Sequence, residues 1–319
     1  MSTRFFALFA SSLTTVLIFG IGTAFAEEVS SDGKFNSVRS SPNERKAIIW
    51  TPNQKRSAKP LPLPVVNVPN GKSGKSGKPA PQTPQSAQGQ PSLGKARSNN
   101  WVPIKWEGKI YFRQGADLYM CSGQFITDDV ILTAGHCVQE AETAEWHTDF
   151  EFDLQYNDGK ATSIHKSLCM ATLNGWTNGG EDGRWAWDYA MVKVDKPSTV
   201  GHMGYHYNWR DSYTGAKLTG YPKAVADGER ITLVNGALDA EPGEPGNDNE
   251  VAAHHENPNF TGGSSGGAWI GNYSAQIGKT NYVIGINSYT HPGDDTTMYS
   301  PYLTEDFKTL LDYTENGCK

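Results

Sequence analysis

Three segments of the sequence carry residue types that together can break an acyl bond. Ser265 lies in a glycine-rich run, His136 precedes a cysteine, and Asp188 precedes a small apolar run. A serine hydroxyl is a weak nucleophile, so it needs an imidazole to accept its proton and a carboxylate to fix the tautomer of that imidazole. We therefore predict Ser265 as the nucleophile, His136 as the general base and Asp188 as the orienting acid. Asp182 and Asp195 are alternative acids, but the apolar run directly after Asp188 favours Asp188.

The attacked carbonyl also needs hydrogen-bond donors for the oxyanion that forms on it. Backbone N–H groups supply such donors where the chain turns sharply, and glycine permits these turns. Gly262 and Gly263 precede the predicted nucleophile, and Gly266 and Gly267 follow it. The pattern predicts that the N–H groups of Gly263 and Ser265 form an oxyanion hole.

Short apolar runs separated by Gly, Asn and Asp clusters extend from Trp101 to the C-terminus, as expected for strands joined by turns. The clearest strand candidates are residues 130–132, 189–194, 231–234 and 282–286. Only residues 304–313 are predicted to be helical, because Thr304 suits an N-cap and Phe307 and Leu310 share an apolar face. The sequence therefore predicts an all-β domain over residues 101–319 with a C-terminal helix.

Three motifs resemble, in the same order along the chain, those of the trypsin/chymotrypsin superfamily of serine peptidases. They are Thr133-Ala134-Gly135-His136-Cys137, Asp188-Tyr189-Ala190-Met191 and Gly263-Ser264-Ser265-Gly266-Gly267. Within the superfamily, residues 261–266 are most similar to the bacterial V8-like, glutamyl endopeptidase branch. The resemblance implies two antiparallel six-stranded β-barrels. It also implies a serine endopeptidase that forms an acyl-enzyme with protein or peptide substrates and uses no cofactor.

The resemblance also indicates which residues line the main specificity pocket. The pocket base, six residues before the nucleophile, is Asn259 rather than the aspartate that selects Lys or Arg. The glutamyl branch has a small hydroxyl residue and a late histidine where this chain has Phe260 and Asn287. We therefore expect an uncharged or mildly polar pocket. Asn287, Ser288 and Tyr289 are expected to line it and to pair with the substrate backbone as an added strand.

The four cysteines fit a disulfide framework. The spacing of Cys121 and Cys137 matches the histidine-loop disulfide of the resembled family. Cys169 and Cys318 are left to form a second disulfide, or to remain free or intermolecular thiols.

No metal site is predicted. The chain has no close Cys-x-x-Cys pair of the kind that binds zinc, and glycines around His202 and His206 argue against a helix that would align them. We expect the acidic stretch 239–250 to be a solvated loop, with calcium binding as the alternative.

The first hundred residues have a different composition from the rest. Residues 1–26 are predicted to be a signal peptide, because Arg4 precedes an apolar stretch that ends in Ala24-Phe25-Ala26; an uncleaved membrane anchor is the alternative. Residues 27–100, rich in Gly, Ser, Pro and Lys, are predicted to be a disordered propeptide or linker. A secreted or periplasmic protein lies in an oxidising compartment, where cysteines pair.

Charge is divided unequally along the chain. Residues 27–100 contain 12 basic and 4 acidic residues, whereas residues 101–319 contain 15 basic and 30 acidic ones. The acidic domain is a poor match for nucleic acid. The basic segment is expected to dock on it and mask the cleft until it is removed near Lys95, Arg97 or Ser98. We expect a monomer that has no membrane contact after signal removal.

Other functions are also compatible with these motifs. A Gly-x-Ser-x-Gly pattern around Ser265 fits an α/β-hydrolase elbow, but only His291 follows it, and strands do not alternate with long helices. An inactive homologue acting as a binding module, and an esterase with the same triad, are the remaining alternatives.

Overall fold

The computed structural model describes residues 26–30, 33–66, 104–209, 212–239, 250–275 and 281–319. Residues 1–25 of the predicted signal peptide, residues 67–100 of the predicted propeptide and residues 240–249 of the acidic loop lie outside the described residues. No helix within the described ranges has both the length and the apolar character needed to span a bilayer.

The first sheet contains a closed barrel. Its nine strands are β1 (Ala26–Val29), β2 (Phe35–Arg39), β3 (Lys59–Pro60), β4 (Glu107–Gln114), β5 (Asp117–Phe125), β6 (Val130–Thr133), β7 (Thr148–Leu154), β8 (Ser163–Leu173) and β9 (Ala190–Val194). Strands β4 to β9 pair in the order β8-β7-β4-β5-β6-β9, and β9 pairs with β8 to close the barrel. Every pair within it is antiparallel. The interior contains fully buried Ile110, Phe125, Leu132, Phe152 and Val192.

The second sheet holds the C-terminal half. Its seven strands are β10 (Gly204–Tyr205), β11 (Gly215–Gly220), β12 (Thr232–Leu238), β13 (Glu250–His254), β14 (Ala268–Gly271), β15 (Tyr282–Ile286) and β16 (Thr297–Pro301). They pair in the order β10-β15-β14-β11-β12-β13-β16. Beyond β15, Ser288 N–H donates to Tyr299 O (3.0 Å) and Tyr299 N–H donates to Tyr289 O (2.9 Å), which links the chain after β15 back to β16. The predicted all-β, chymotrypsin-like architecture is confirmed.

Helices are few and mostly short. They are α1 (Pro42–Ala47), α2 (Pro52–Ser57), α3 (Asn174–Asn178), α4 (Gly180–Gly183) and α5 (Glu305–Glu315). The predicted C-terminal helix corresponds to α5. Thr304 is its N-cap and accepts a hydrogen bond from Asp306 N–H, while Phe307 and Leu310 are fully buried. The 3.6-residue spacing of the apolar side chains thus packs α5 on the first barrel.

Two disulfides connect elements that are distant in sequence or separated by turns. Cys121 on β5 is bonded to Cys137 after β6, and Cys169 on β8 is bonded to Cys318 after α5. The first links β5 to the turn that contains His136, and the second ties the C-terminal helix to the barrel. The predicted Cys121–Cys137 pairing is therefore present, and Cys169 and Cys318, which the sequence left as paired or free, form the second bond.

Residues 33–66 pack on the first barrel, which differs from the predicted disorder of residues 27–100. Strand β2 pairs with β8, and Phe35 and Val38 enter the barrel core. Two Pro-containing helices with capping boxes, α1 and α2, follow it. Trp50 packs against Tyr111, and its Nε1 donates to Asp149 O (2.9 Å). The segment alone has too few apolar residues for a core, but the barrel supplies the second surface that buries them.

Candidate active site

His136 and Asp188 meet because two paired strands end beside each other. His136 lies in a 3₁₀ turn just after β6, and Asp188 lies just before β9. The antiparallel register of β6 and β9 pairs Thr133 with Ala190, which brings the two flanking turns together. His136 Nδ1 is 2.8 Å from Asp188 Oδ2, and His136 N–H donates to Asp188 Oδ1 at 2.8 Å. A carboxylate at Nδ1 favours the tautomer whose Nε2 is free to accept a proton.

A third donor reaches the same carboxylate. Ser288 Oγ donates to Asp188 Oδ2 at 2.5 Å, and Asp188 is fully buried. Three hydrogen bonds compensate the cost of removing a charged carboxylate from water. The sequence predicted Ser288 as a pocket residue but did not predict this hydrogen bond of its hydroxyl to Asp188.

Ser265 lies in a tight turn between β13 and β14. Gly263 (φ +93°) and Gly266 (φ +79°) adopt backbone conformations that residues other than glycine rarely adopt. A Cβ atom on Gly266 would lie 2.2 Å from Thr133 Oγ1, so only glycine lets the turn approach β6 this closely. Ser122 N–H donates to Ser265 O (2.8 Å), which fixes the turn against β5.

The reactive atoms of the predicted nucleophile and base lie in the same buried region. Cys137 Sγ, one residue beyond His136, is 3.9 Å from Ser265 O. Ser265 Oγ and His136 Nε2 are both buried, and neither has a hydrogen-bond partner among the residues that the structure describes. They therefore do not bond to each other here. Catalytic hydrogen bonds are often long without substrate and tighten in the Michaelis complex.

Asn287 supports the nucleophile turn from behind. Its Nδ2 donates to Ser264 O (2.9 Å) and to Thr219 O (2.7 Å), and its Oδ1 accepts from Trp269 Nε1 (2.9 Å). Asn287 is fully buried. Its side chain thus holds the turn in place, a role that the sequence did not predict for this expected pocket residue.

A cavity of about 370 Å³ lies beside the nucleophile turn. Its protein lining is Pro60, Pro62, Leu63, His255, Phe260, Thr261, Gly262, Thr290, Asp294, Asp295, Thr297 and Met298. Phe260, which the sequence predicted to line the specificity pocket, lies in the wall of this cavity. Asn259 is exposed and is absent from this lining, in the part of the chain that the structure describes.

The cavity has no basic side chain that is charged at neutral pH among the described lining residues. No Lys or Arg lines it. Burial lowers the pKa of His255, although nearby Asp294 and Asp295 act in the opposite direction. A neutral His255 therefore lies beside apolar Phe260 and Met298.

The sequence predicted that Tyr289 pairs with the substrate backbone, but the neighbouring Thr290 makes the backbone pairing seen in the structure. The Tyr289 ring stacks on Tyr299 at 4.8 Å, and its hydroxyl donates to Glu250. The backbone of Thr290 pairs with an added segment instead: Thr290 N–H donates to Pro64 O (3.0 Å), and Thr290 O accepts from Val66 N–H (3.0 Å). No motif in the sequence marks Thr290.

The added segment comes from the N-terminal part of this chain. Residues 59–66, which we call the strap, extend across the cleft from β5 to Thr290. Gly263 N–H, one of the two predicted oxyanion donors, donates to Leu61 O at 3.2 Å. The predicted oxyanion donor is therefore near enough to hold a carbonyl oxygen.

This geometry is that of a trypsin-like serine protease, and comparison with known proteins agrees. A family model described as "Trypsin" matches residues 94–305, so the chain belongs to the trypsin family. A search of curated proteins found no significant match.

Solved structures of bacterial and other serine proteases are similar in fold. The protease Anisep from Arthrobacter nicotinovorans is 26% identical, with a TM-score of 0.57, covering 70% of this chain and 99% of its own. A Glu endopeptidase in complex with MPD is 20% identical, with a TM-score of 0.54, covering 70% and 96%. The thermostable serine protease AL20 from an extremophilic microorganism is 19% identical, with a TM-score of 0.53, covering 66% and 97%. The last two similarities support the fold alone.

Proposed function

We propose that this chain is a secreted serine endopeptidase in which Ser265, His136 and Asp188 cleave peptide bonds through an acyl-enzyme. The observation that carries the proposal is the paired hydrogen bonding of His136 to Asp188, directly beside the glycine turn that presents Ser265. Family membership supports peptide-bond hydrolysis as the reaction.

The proposed reaction has two proton-transfer half-reactions. His136 Nε2 takes the proton of Ser265 Oγ while Oγ bonds to the substrate carbonyl carbon. The N–H groups of Gly263 and Ser265 hold the resulting oxyanion. When the carbonyl re-forms, the C–N bond breaks and the amine leaves with the proton from His136. Water then repeats the sequence on the acyl-enzyme, and Ser265 regains its proton.

We propose that the preferred substrate side chain at the specificity pocket is apolar. Phe260 and Met298 supply apolar walls, and Leu63 of the strap packs against the same cluster. Asp294 and Asp295 at the cavity disfavour an acidic side chain, and the buried, neutral His255 supplies no compensating charge. The sequence predicted an uncharged or mildly polar pocket, and this proposal restricts the preferred substrate side chain to apolar ones.

Secretion is supported by two observations. The first 26 residues have the composition of a signal peptide. All four cysteines are paired, which is typical of an oxidising compartment.

Hydrolysis of casein by protein recovered from the medium of an expressing host tests the activity. We expect the wild type to cleave casein and Ser265→Ala to lose that cleavage. Ser264→Ala is the matched control, because Ser264 is the adjacent serine and is equally buried. Casein cleavage that persists in Ser265→Ala, or hydrolysis of simple esters without casein cleavage, would contradict the proposal.

Sequencing the peptides released from denatured proteins tests the substrate class. We expect apolar residues before the cleaved bonds. A strict preference for Lys and Arg, or for Glu, would contradict the pocket assignment.

A further inference from the structure

The strap follows the active-site cleft over its whole length. Strand β3 pairs in parallel with β5, where Lys59 lies opposite Tyr119, and Leu61 N–H continues the pairing by donating to Met120 O (3.1 Å). At the other end, Val65 forms a parallel bridge with Thr290. His291 Nδ1–H donates to Val66 O (2.7 Å) beyond it. Backbone pairing on both sides is the mode by which a cleft binds an extended peptide.

Between these ends, the strap occupies the positions that a substrate needs. The Leu61 carbonyl oxygen takes up the N–H of Gly263, so this oxyanion donor is already engaged. Leu63 and Pro62 line the specificity cavity together with Phe260.

The strap also packs closely against Gly262, which precedes the nucleophile turn. A Cβ atom on Gly262 would lie 3.0 Å from Leu61 O and 3.4 Å from Pro60 Cβ and Pro62 Cα. These three strap atoms are its nearest neighbours. The surface beside the nucleophile is therefore complementary in shape to the strap backbone.

The same segment lies beside the predicted general base. Leu61, Pro62 and Pro64 line a second cavity together with His136. With the strap in this position, Ser265 Oγ and His136 Nε2 are both buried. The strap therefore occupies space on the His136 side of the cleft.

The residues before the strap anchor it to the barrel. Lys55 Nζ lies 2.6 Å from both Glu151 and Asp153, and all three side chains are largely buried. Ile48, Trp50 and Ala58 join a buried cluster with Tyr111, Met120 and Tyr221. An anchored segment binds its cleft intramolecularly, which raises its effective concentration to roughly the millimolar range.

We infer that the strap is an intramolecular competitive inhibitor of the active site, and that the cleft binds a Pro-interrupted apolar peptide as an inhibitor. The inference rests on the proposed function. The bond after the carbonyl held by Gly263 is Leu61–Pro62, and the proline ring occupies the place of the N–H hydrogen at the leaving nitrogen. Proline also follows Leu63, so both leucines that contact the cleft precede a proline.

The rate at which a fluorophosphonate labels Ser265 in the full chain tests this inference. Leu63→Asp places a charge against Phe260, beside Asp294 and Asp295, and we expect it to speed labelling by about tenfold or more because the strap opens more often. Ile49→Asp is the control: it introduces the same charge at an apolar residue of the N-terminal segment outside the strap, where the side chain is 75% exposed. We expect Ile49→Asp to label at the wild-type rate.

Gly262→Ala changes the domain surface that packs against the strap at Leu61, and it leaves the strap sequence unchanged. We expect it also to label faster than the wild type, by roughly threefold. Gel electrophoresis of each sample confirms that the labelled chain still contains the strap.

The outcomes separate the inference from the proposed function. Equal labelling rates in the wild type, Leu63→Asp and Gly262→Ala would overturn the inference and leave the nucleophile assignment intact. Cleavage of the Leu61–Pro62 bond in the wild type but not in Ser265→Ala would also overturn it, because the strap would then be a substrate. Failure of every form to label would refute the proposed function and the inference together.

Discussion

Glu107 at the start of β4 provides a quantitative test of burial in this fold. Its side chain is buried, and Oε1 has no hydrogen-bond partner among the described residues. Burial raises the pKa of the Glu107 carboxyl to about 8, and a hydrogen bond with Thr219 lowers it only partly. The folded protein therefore holds a proton on Glu107 at neutral pH.

The sign of the pH dependence follows from the two states. The unfolded chain releases this proton near the ordinary glutamate pKa of 4.5, whereas the folded chain keeps it until about pH 8. Between these values the folded state binds more protons, so the free energy of unfolding falls as pH rises. A shift of this size corresponds to a loss on the order of 4 kcal/mol across that window.

Glu107→Gln removes the ionisation and keeps the shape of the side chain. We expect this variant to match the wild type at about pH 5 and to be more stable at about pH 9 by on the order of 4 kcal/mol. Urea unfolding measures the difference, in a Ser265→Ala background that prevents self-digestion.

Glu256→Gln is the control, because Glu256 is exposed. Its effect is expected to stay within about 0.5 kcal/mol at each pH. If the wild type and Glu107→Gln had parallel stability curves over the whole pH range, the assignment of a neutral, buried Glu107 would be refuted.

Three further predictions follow from the site and its supports. Ser288→Ala removes one donor to Asp188, and we expect kcat/KM on a peptide substrate to fall about tenfold; an unchanged kcat/KM would argue against this support. Replacing both Cys169 and Cys318 with serine should lower the free energy of unfolding by about 2–5 kcal/mol, as measured in guanidinium; unchanged stability would count against the role of the bond. N-terminal sequencing of the active, secreted form should find a start after the strap, whereas a fully active form that begins at Glu27 would exclude removal of the segment.

Local patterns were sufficient to predict several elements of the domain. Short apolar runs separated by turn clusters predicted the strands that contain residues 130–132 and 282–286. The cap at Thr304 and the apolar face after it predicted α5. These signals are local because strand and helix periods are set by neighbouring residues.

The roles of Asn287 and Ser288 that the sequence did not predict depend on contacts distant in sequence. Asn287 resembled a pocket residue because it follows β15, but its amide reaches Ser264 and Thr219 through pairing of separate strands. Ser288 reaches Asp188 across 100 positions of the sequence. Which side of a strand end faces the pocket depends on register, which a single sequence does not specify.

The fold of the N-terminal segment also depends on contacts that are distant in sequence. Phe35, Val38 and Trp50 are too sparse to form a core, so the composition predicted disorder. The partner surface on β8 and Tyr111 is supplied by residues more than fifty positions later. Composition alone does not reveal burial against a distant surface.

The account rests on Ser265 being activated by the His136–Asp188 pair, and mass mapping of the fluorophosphonate adduct tests this most directly. The account predicts a single adduct on Ser265 in the Leu63→Asp chain. It also predicts that adding Asp188→Asn slows labelling by about 10⁴-fold, because the imidazole then takes the wrong tautomer. An adduct on another residue, or an unchanged rate with Asp188→Asn, would contradict it.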